Sequence, residues 1–199
     1  GYEILRKGGN AVDASVAVGF ALAVTLPRAG NLGGGGFVLI YNKEDDEISA
    51  IDYRSAAPKS ATSDLFLEGG QVVKFGHLVN AVPGSVAGLL KAHDDHGSLP
   101  LADLLKPAIR IARDGFEITH DLNFALQWGK ESMIANKTSK EKFYDELEEP
   151  IKVKRIFKQP KLAKTLFMIS KKGSDIFYKG EIAKWISEES LSNGGLITL

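Results

Sequence analysis

The four consecutive glycines at residues 33–36 constrain the fold of this chain more than any other feature of its sequence. They follow a nearly unbroken apolar run at residues 11–26 and precede a β-forming run at residues 37–41. Since glycine has no Cβ atom, such a run allows two backbone segments to pack closely or the backbone to adopt positive φ angles. The order of these segments predicts a buried helix, a glycine loop and a strand.

The apolar run at residues 11–26 is the one segment that resembles a membrane span or a signal peptide in composition. A membrane-spanning helix needs about 20 predominantly apolar residues, whereas this run contains Asp13 and stops at Pro27. A signal peptide begins with Met and a basic region, whereas this run follows what reads as the end of another helix. We therefore predict a buried core helix, capped by Asn10 with Asp13 in the position of a capping box.

A β-hairpin is predicted directly after the glycines. Residues 37–41 are apolar on both faces, which is typical of a central strand that is covered on both sides. A charged turn at residues 43–47 then leads to a return strand at residues 48–53. The hairpin therefore delivers the next residue, Arg54, to the end of a strand.

Arg54 is the candidate binding residue of this chain. Its guanidinium group is permanently charged and can bind a carboxylate through two parallel hydrogen bonds. An ordinary ion pair with Asp52 or Glu47 is the alternative interpretation of the same residue.

The remainder of the chain reads as short helices separated by Gly and Pro. Ser85 is predicted to cap a helix, and Pro100 and Pro107 are each predicted to begin one, because proline is favoured in the first turn of a helix. The predicted elements are a loop with a short helix at residues 59–80 that turns at Gly69-Gly70, helices at residues 86–96, 101–106 and 107–113, a polar helical region at residues 117–150, a helix opened by Pro160 and ended by Gly173, and a last helix at residues 180–192. We predict a single partial domain over residues 1–199, with an α/β core part at 1–116 and a helical extension at 117–199.

Composition and charge exclude several classes of function. The 199 residues contain no Cys, which rules out disulfides, thiolate zinc sites and a cysteine nucleophile. Lys and Arg together number 25, as do Asp and Glu, so no global field favours nucleic acid or a membrane surface. We therefore expect neither a nucleic-acid partner nor a metal.

Local patterns that could carry other chemistry have simpler interpretations. His93 and His96 have a spacing that could hold a metal ion, but a solvated helix end explains them better. The basic segment at residues 152–172 could bind nucleic acid, but the acidic run at residues 145–149 offsets its charge and favours a solvated face. No Gly-x-Ser-x-Gly nucleophile motif occurs in the sequence.

Seven short motifs, taken in order, resemble the large subunit of the γ-glutamyltranspeptidases, which are N-terminal-nucleophile hydrolases. Each motif is modest alone, but the ordered set covers nearly the whole chain. They are Gly8-Gly9-Asn10-Ala11-Val12-Asp13-Ala14, Ala29-Gly30-Asn31-Leu32-Gly33-Gly34-Gly35-Gly36-Phe37, Ile51-Asp52-Tyr53-Arg54 with Ala57-Pro58, Val82-Pro83-Gly84-Ser85-Val86-Ala87-Gly88, Ala112-Arg113-Asp114-Gly115-Phe116, Phe177-Tyr178-Lys179-Gly180 and Asn193-Gly194-Gly195-Leu196-Ile197-Thr198.

The resemblance implies an α+β fold that forms part of a four-layer αββα sandwich with a mostly helical extension. It also implies that a precursor cleaves itself into two subunits, and that the new N-terminal threonine of the small subunit is the nucleophile. The substrate would be the γ-glutamyl amide of glutathione or a related compound, whose glutamyl group passes to water, an amino acid or a peptide. In this family the arginine of the Asp-x-Arg motif holds the α-carboxylate of the glutamyl group, a role that falls on Arg54 here.

The resemblance places no catalytic residue in this chain. Thr198 belongs to the large-subunit motif and is not the nucleophile, so the small subunit from the same precursor is the implied partner. No metal or organic cofactor is implied. Family members are usually periplasmic, extracellular or at the cell surface. We expect both ends of the sequence to be cut or processed and any export signal to lie upstream of Gly1.

Two alternatives remain open at this point. The family usually has Glu after the arginine, whereas this chain has Ser55, which keeps open a cephalosporin or glutaryl acylase of the same superfamily. A non-catalytic fragment or binding module is the other alternative.

Overall fold

The computed structural model describes residues 1–68 and 71–199, so the turn predicted at Gly69-Gly70 lies outside the described residues. The helices are α1 (Tyr2–Arg6), α2 (Ala11–Thr25), α3 (Ser85–His96), α4 (Leu101–Asp114), α5 (His120–Trp128), α6 (Lys130–Ile134), α7 (Lys137–Phe143), α8 (Pro160–Tyr178) and α9 (Glu181–Ser192). The strands are β1 (Phe37–Asn42), β2 (Glu47–Asp52), β3 (Leu67–Glu68), β4 (Gln71–Val72), β5 (Phe116–Glu117) and β6 (Ile156–Phe157), and short 3-10 helices occupy Ser63–Phe66 and His77–Val79. Within the described residues the strands form three two-stranded antiparallel sheets, β1–β2, β3–β4 and β5–β6.

The start of α2 is fixed by the capping box that the sequence predicts. Asn10 Oδ1 accepts a hydrogen bond from Asp13 N–H at 2.9 Å, and the Asp13 carboxylate accepts one from Asn10 N–H at 2.9 Å. The helix is buried where it packs against α3 and α4, whereas Val18 and Leu22 on its outer side are 39% and 38% exposed. Burial of α2 is therefore less complete than its apolar sequence predicts.

The β1–β2 hairpin has the predicted position, with Phe37 opposite Asp52 in the register, but β1 is not a central strand. In the part of the chain that the structure describes, β1 pairs with β2 alone. Val38 and Ile40 pack against the main core, whereas Phe37 and Leu39 on the opposite face are 63% and 75% exposed. The prediction of a strand covered on both sides is therefore wrong for this chain, because no described segment covers the second face.

Residues 101–114 form one helix rather than the two predicted on either side of Pro107. Leu104 and Leu105 before the proline, and Ala108 and Ala112 after it, are all fully buried. Because this apolar face packs against α2 and α8 without interruption, tertiary packing outweighs the hydrogen bond that Pro107 cannot donate. The helix ends at Gly115, as predicted, with a positive φ of 97°.

The predicted helix stop at Gly173 is confirmed as a break in α8. Gly173 has φ 64° and ψ −149°, and the chain then resumes a helical course to Tyr178. The last helix, α9, also follows the prediction and ends before Gly194, which has a positive φ of 75°. The main hydrophobic core joins α1–α4 to α8 and α9, from Ile4 to Ile182.

A second, smaller cluster lies in the region that the sequence predicts to be polar and helical. Its buried members are Ile118, Leu122, Leu126, Tyr144 and Phe157. Phe116 packs against this cluster and also against the main core, so it links the two. No helix among residues 1–68 and 71–199 combines the length and the apolar character that crossing a bilayer requires.

Candidate functional site

The segment that follows β2, residues 53–55, is called the Arg54 arm below. Tyr53 N–H donates to Gly36 O at 2.9 Å, and Gly36 N–H donates to Tyr53 O at 3.3 Å. This pair extends the hairpin by one residue and fixes the start of the arm against the glycine run. The arm therefore has a defined position although it lies beyond the end of the strand.

The glycines of the 33–36 run allow the arm to pack against bare backbone. A Cβ atom at Gly35 would lie 2.5 Å from Tyr53 O and would overlap with Ser55 N. None of the four glycines has a positive φ, so the run provides close packing at Gly35 and Gly36 rather than unusual backbone angles.

A second pair of glycines packs against the arm from the opposite side. A Cβ at Gly84 would overlap with the carbonyl group of Tyr53, and a Cβ at Gly88 would overlap with the Tyr53 side chain. Gly84 lies in the turn just before α3, and Gly88 is the fourth residue of that helix. The arm is therefore held between the glycine run and the start of α3, which the sequence separates by nearly 50 residues.

The N-terminus of α3 is not capped by Ser85, so that prediction is wrong. Ser85 is the first residue of the helix, and no side chain of the preceding residue caps it. Gly34 O accepts hydrogen bonds from Gly84 N–H at 2.8 Å and from Ser85 N–H at 3.0 Å, and the hydroxyl of Tyr178 accepts one from Ala87 N–H at 3.0 Å. Groups that are distant in sequence therefore satisfy the free N–H groups of this helix.

Arg54 is exposed, and its guanidinium group lies within 4.0 Å of no carboxylate among the residues whose side chains the structure describes. The ion pair considered as an alternative, with Asp52 or Glu47, is therefore not formed. The Asp52 carboxylate instead accepts a hydrogen bond from the backbone N–H of Arg54 at 2.9 Å. The side chain of Arg54 thus keeps an uncompensated charge on a fixed backbone.

Tyr53 forms the apolar support of the arm. Tyr53 lines a cleft of about 180 Å3 between α2 and the glycine run, together with Leu89 and Leu32. Burial raises the pKa of the Tyr53 hydroxyl, so this side chain stays neutral at physiological pH. It contributes packing, and Arg54 is the charged group of the arm.

The other predicted candidates do not form sites in the described residues. His93 Nε2 is bound to the backbone carbonyl of Leu99 at 2.8 Å, and no group of three or more potential metal ligands occurs in residues 1–68 and 71–199. In the acidic run next to the basic segment at residues 152–172, Glu149 pairs with Lys130 and Glu148 with Lys140.

Comparison with known proteins places this geometry in a family. The family model described as gamma-glutamyltranspeptidase matches residues 1–199. The glutathione hydrolase proenzyme of Escherichia coli K12 is 48% identical over 204 residues, which cover 100% of this chain and 35% of that protein. The chain therefore spans about a third of the length of the curated relatives it matches.

Solved structures show the same relationship. The γ-glutamyltranspeptidase of Helicobacter pylori superimposes with a TM-score of 0.94 at 39% identity, covering 99% of this chain and 58% of that chain. A cephalosporin acylase from Bacillus halodurans superimposes with a TM-score of 0.76 at 26% identity, covering 98% of this chain and 38% of that chain. These similarities confirm the predicted fold class, an α+β chain that forms part of the αββα sandwich of N-terminal-nucleophile hydrolases. The chain belongs to the γ-glutamyltranspeptidase family.

Proposed function

We propose that this chain is the large-subunit part of an enzyme that cleaves the γ-glutamyl amide of glutathione and related compounds. The glutamyl group is transferred to water, an amino acid or a peptide. The observation that carries the proposal is Arg54, a permanently charged guanidinium group that no described carboxylate pairs with, on a backbone held by glycines on both sides. The α-carboxylate of a glutamyl group is the planar, bidentate partner that such a group binds best.

The role of Arg54 in this reaction is to hold one end of the substrate while the bond at the other end is broken. The N-terminal threonine of the small subunit attacks the γ-carbonyl carbon, and its α-amino group takes the hydroxyl proton. The C–N bond breaks and the amine leaves with that proton. Water or an amine then attacks the ester and gives a proton back to the threonine oxygen as the glutamyl group is released. Because Arg54 fixes the α-carboxylate, the γ-carbonyl carbon is held at a fixed distance from the threonine hydroxyl. Such positioning of the substrate raises the rate of the reaction.

The small subunit of the same precursor is the proposed partner. The open face of the β1–β2 hairpin supports this, because Phe37, Leu39 and Tyr41 are 63%, 75% and 59% exposed. Among the described residues the hairpin is a two-stranded sheet, so its outer edges can pair with further strands and its exposed apolar side chains can be covered by another layer. We also propose that the chain is a single partial domain with a core part at 1–116 and a helical extension at 117–199. By resemblance to the family, the full protein is expected to be exported.

Replacement of Arg54 by Ala in the full-length protein tests the function. Loss of a charge-assisted pair worth about 1.5–3 kcal/mol should raise KM for γ-glutamyl p-nitroanilide roughly 10- to 100-fold. Arg28→Ala is the matched control, because the Arg28 guanidinium already pairs with Asp121 at 2.8 Å and its loss should leave KM unchanged. An unchanged KM in Arg54→Ala would contradict the assignment.

A related acylase remains the second candidate, because the acylase fold aligns with nearly all of this chain and Ser55 stands where Glu is usual in the family. Glutaryl amides have a terminal carboxylate but lack the α-amino group of a γ-glutamyl amide. Turnover of a glutaryl amide that exceeds turnover of the γ-glutamyl amide would favour the acylase. Absence of turnover of both in the assembled protein would favour a non-catalytic module.

A further inference from the structure

We infer that Tyr178 is a positioning residue for Arg54, acting through the turn at residues 82–84 that precedes α3. The inference rests on the proposed function, in which Arg54 binds the carboxylate of the substrate. Tyr178 lies at the end of α8, more than 120 residues from Arg54 in sequence. It belongs to the family-like motif Phe177-Tyr178-Lys179-Gly180, and its sequence context indicates no role for it.

The Tyr178 hydroxyl both donates and accepts a hydrogen bond, and its two partners belong to this turn and to the first turn of α3. The hydroxyl donates to Pro83 O at 2.9 Å and accepts from Ala87 N–H at 3.0 Å. One side chain therefore joins this turn to the first turn of α3. Among the residues that the structure describes, this is the side-chain hydrogen bond that satisfies the start of α3.

The turn held by Tyr178 is in direct contact with the Arg54 arm on both sides of Arg54. Before Arg54, the carbonyl group of Tyr53 packs against Gly84 with no room for a Cβ atom. After Arg54, Ala56 and Val82 exchange two backbone hydrogen bonds, of 3.1 and 2.8 Å. A shift of the turn therefore has to move the backbone on both sides of Arg54.

The course of α8 directs Tyr178 towards the turn. The break at Gly173, where φ is 64°, lets the last residues of α8 leave the direction of the first part. Phe177 is then buried in the main core, and its ring meets that of Tyr178 edge to face at 5.0 Å between centroids. Burial raises the pKa of Tyr178, with the Ala87 N–H opposing it as the lesser effect, so the hydroxyl keeps the proton that it donates to Pro83.

Tyr178→Phe in the full-length protein tests the inference, since it removes the hydroxyl and keeps the packing volume. We expect KM for γ-glutamyl p-nitroanilide to rise roughly five-fold, the equivalent of one lost neutral hydrogen bond, with kcat changed less than about two-fold. In an Arg54→Ala background the same substitution should raise KM no further, because the group that Tyr178 positions is gone.

Tyr144→Phe is the matched control. The Tyr144 hydroxyl is also buried and donates to a backbone carbonyl, Leu126 O, at 2.6 Å, but it lies in the second cluster. A hydroxyl with a purely structural role lowers Tm when it is lost and leaves KM unchanged, which is the result expected for Tyr144→Phe.

A substrate pair keeps the test valid if Tyr178→Phe lowers the folded fraction. The ratio of kcat/KM for γ-glutamyl p-nitroanilide to that for 4-aminobutanoyl p-nitroanilide, which lacks the α-carboxylate, does not depend on how much enzyme is folded. We expect Tyr178→Phe to lower this ratio. An unchanged ratio overturns the inference, and so does a rise in KM that persists when Tyr178→Phe is made in the Arg54→Ala background. In either case a raised KM in Arg54→Ala alone still supports the proposed function. An unchanged KM in Arg54→Ala overturns both.

Discussion

Asp13 and Arg54 are charged residues that follow conspicuous glycine motifs, yet the protein uses them in opposite ways. Asp13 is fully buried, and its carboxylate accepts hydrogen bonds from Asn10 N–H, Ser98 N–H and Leu99 N–H. Arg54 is exposed, and no described carboxylate neutralises it. A charge whose partners come from its own chain is structural, whereas a charge on a rigid support without partners is available to a ligand.

The two charges also differ in how they are held. Asp13 is held through its side chain, because its carboxylate accepts hydrogen bonds from Ser98 that join the start of α2 to the loop between α3 and α4. Arg54 is held by its backbone, through glycines that leave no space for a side chain. Substitutions should therefore act on the side chain in one case and on the neighbouring glycines in the other.

The largest expected effect comes from Gly35→Ala, which breaks the support of Arg54 without touching it. The new Cβ would press on three backbone atoms of the arm, and we expect a loss of more than about 3 kcal/mol in the free energy of unfolding. Gly33→Ala is the matched control two residues away, because its Cβ meets only a side-chain oxygen of Asn31 at 3.3 Å. Thermal unfolding of the two full-length variants measures the difference, and equal Tm values would contradict the close-packing interpretation.

Asp13→Ala should have the next largest effect, and it should fall on stability alone. Removal of the fully buried carboxylate takes away the charge-assisted hydrogen bonds that it accepts from the N–H groups of Ser98 and Leu99, which costs about 3 kcal/mol in unfolding free energy. KM for the γ-glutamyl substrate should stay at its wild-type value. Asp121→Ala, which removes an exposed acid, is the control that should leave Tm unchanged. A rise in KM for Asp13→Ala would end the distinction drawn between the two charges.

The smallest expected effect is the loss, at acid pH, of the stability that ionised Asp13 contributes. Burial alone would raise the pKa of Asp13, but hydrogen bonds from Ser98, Asn10 and Leu99 outweigh it and lower the pKa below that of an ordinary aspartate. A group whose pKa is lower in the folded state than in the unfolded state stabilises the protein at pH values above the unfolded-state pKa. This stabilisation is lost as the pH falls through the folded-state pKa.

The stability gap between the wild type and Asp13→Asn should therefore be constant above about pH 5 and should narrow below about pH 4. Urea unfolding at several pH values measures this gap. A gap of the same size at pH 7 and pH 3 would show that ionised Asp13 is not the stabilising form.

Local features of the fold could be predicted from the sequence because neighbouring residues determine them. The capping box of Asn10 and Asp13, the hairpin, and the helix ends at Gly115 and Gly194 depend on residues within a few positions. The position of Arg54 at the end of a strand follows in the same way. Its lack of an ion pair does not, because that depends on every acid in the fold.

The features that were wrong or missed all depend on contacts between distant segments. Pro107 reads as a helix start, and only the packing of α4 against α2 and α8 shows why the helix continues through it. Ser85 reads as a cap, but Gly34 and Tyr178 supply the partners of α3 from elsewhere. The family-like motifs contain Gly34, Gly84 and Tyr178, but their spacing in the sequence predicts no contact between them.

Main-chain packing of the Arg54 arm has a consequence for how the protein can evolve. Gly35 and Gly84 leave no room for a Cβ atom against the backbone of residues 53–55, and Gly36 and Gly88 leave none against the Tyr53 side chain. The side chains at 54 and 55 therefore contribute little to where the arm lies. Chemistry at these two positions can therefore diverge without a matching loss of fold, and Ser55 in place of a glutamate is a change of this kind. A change of acyl-group preference at these two positions therefore requires few compensating mutations in the segments that hold the arm.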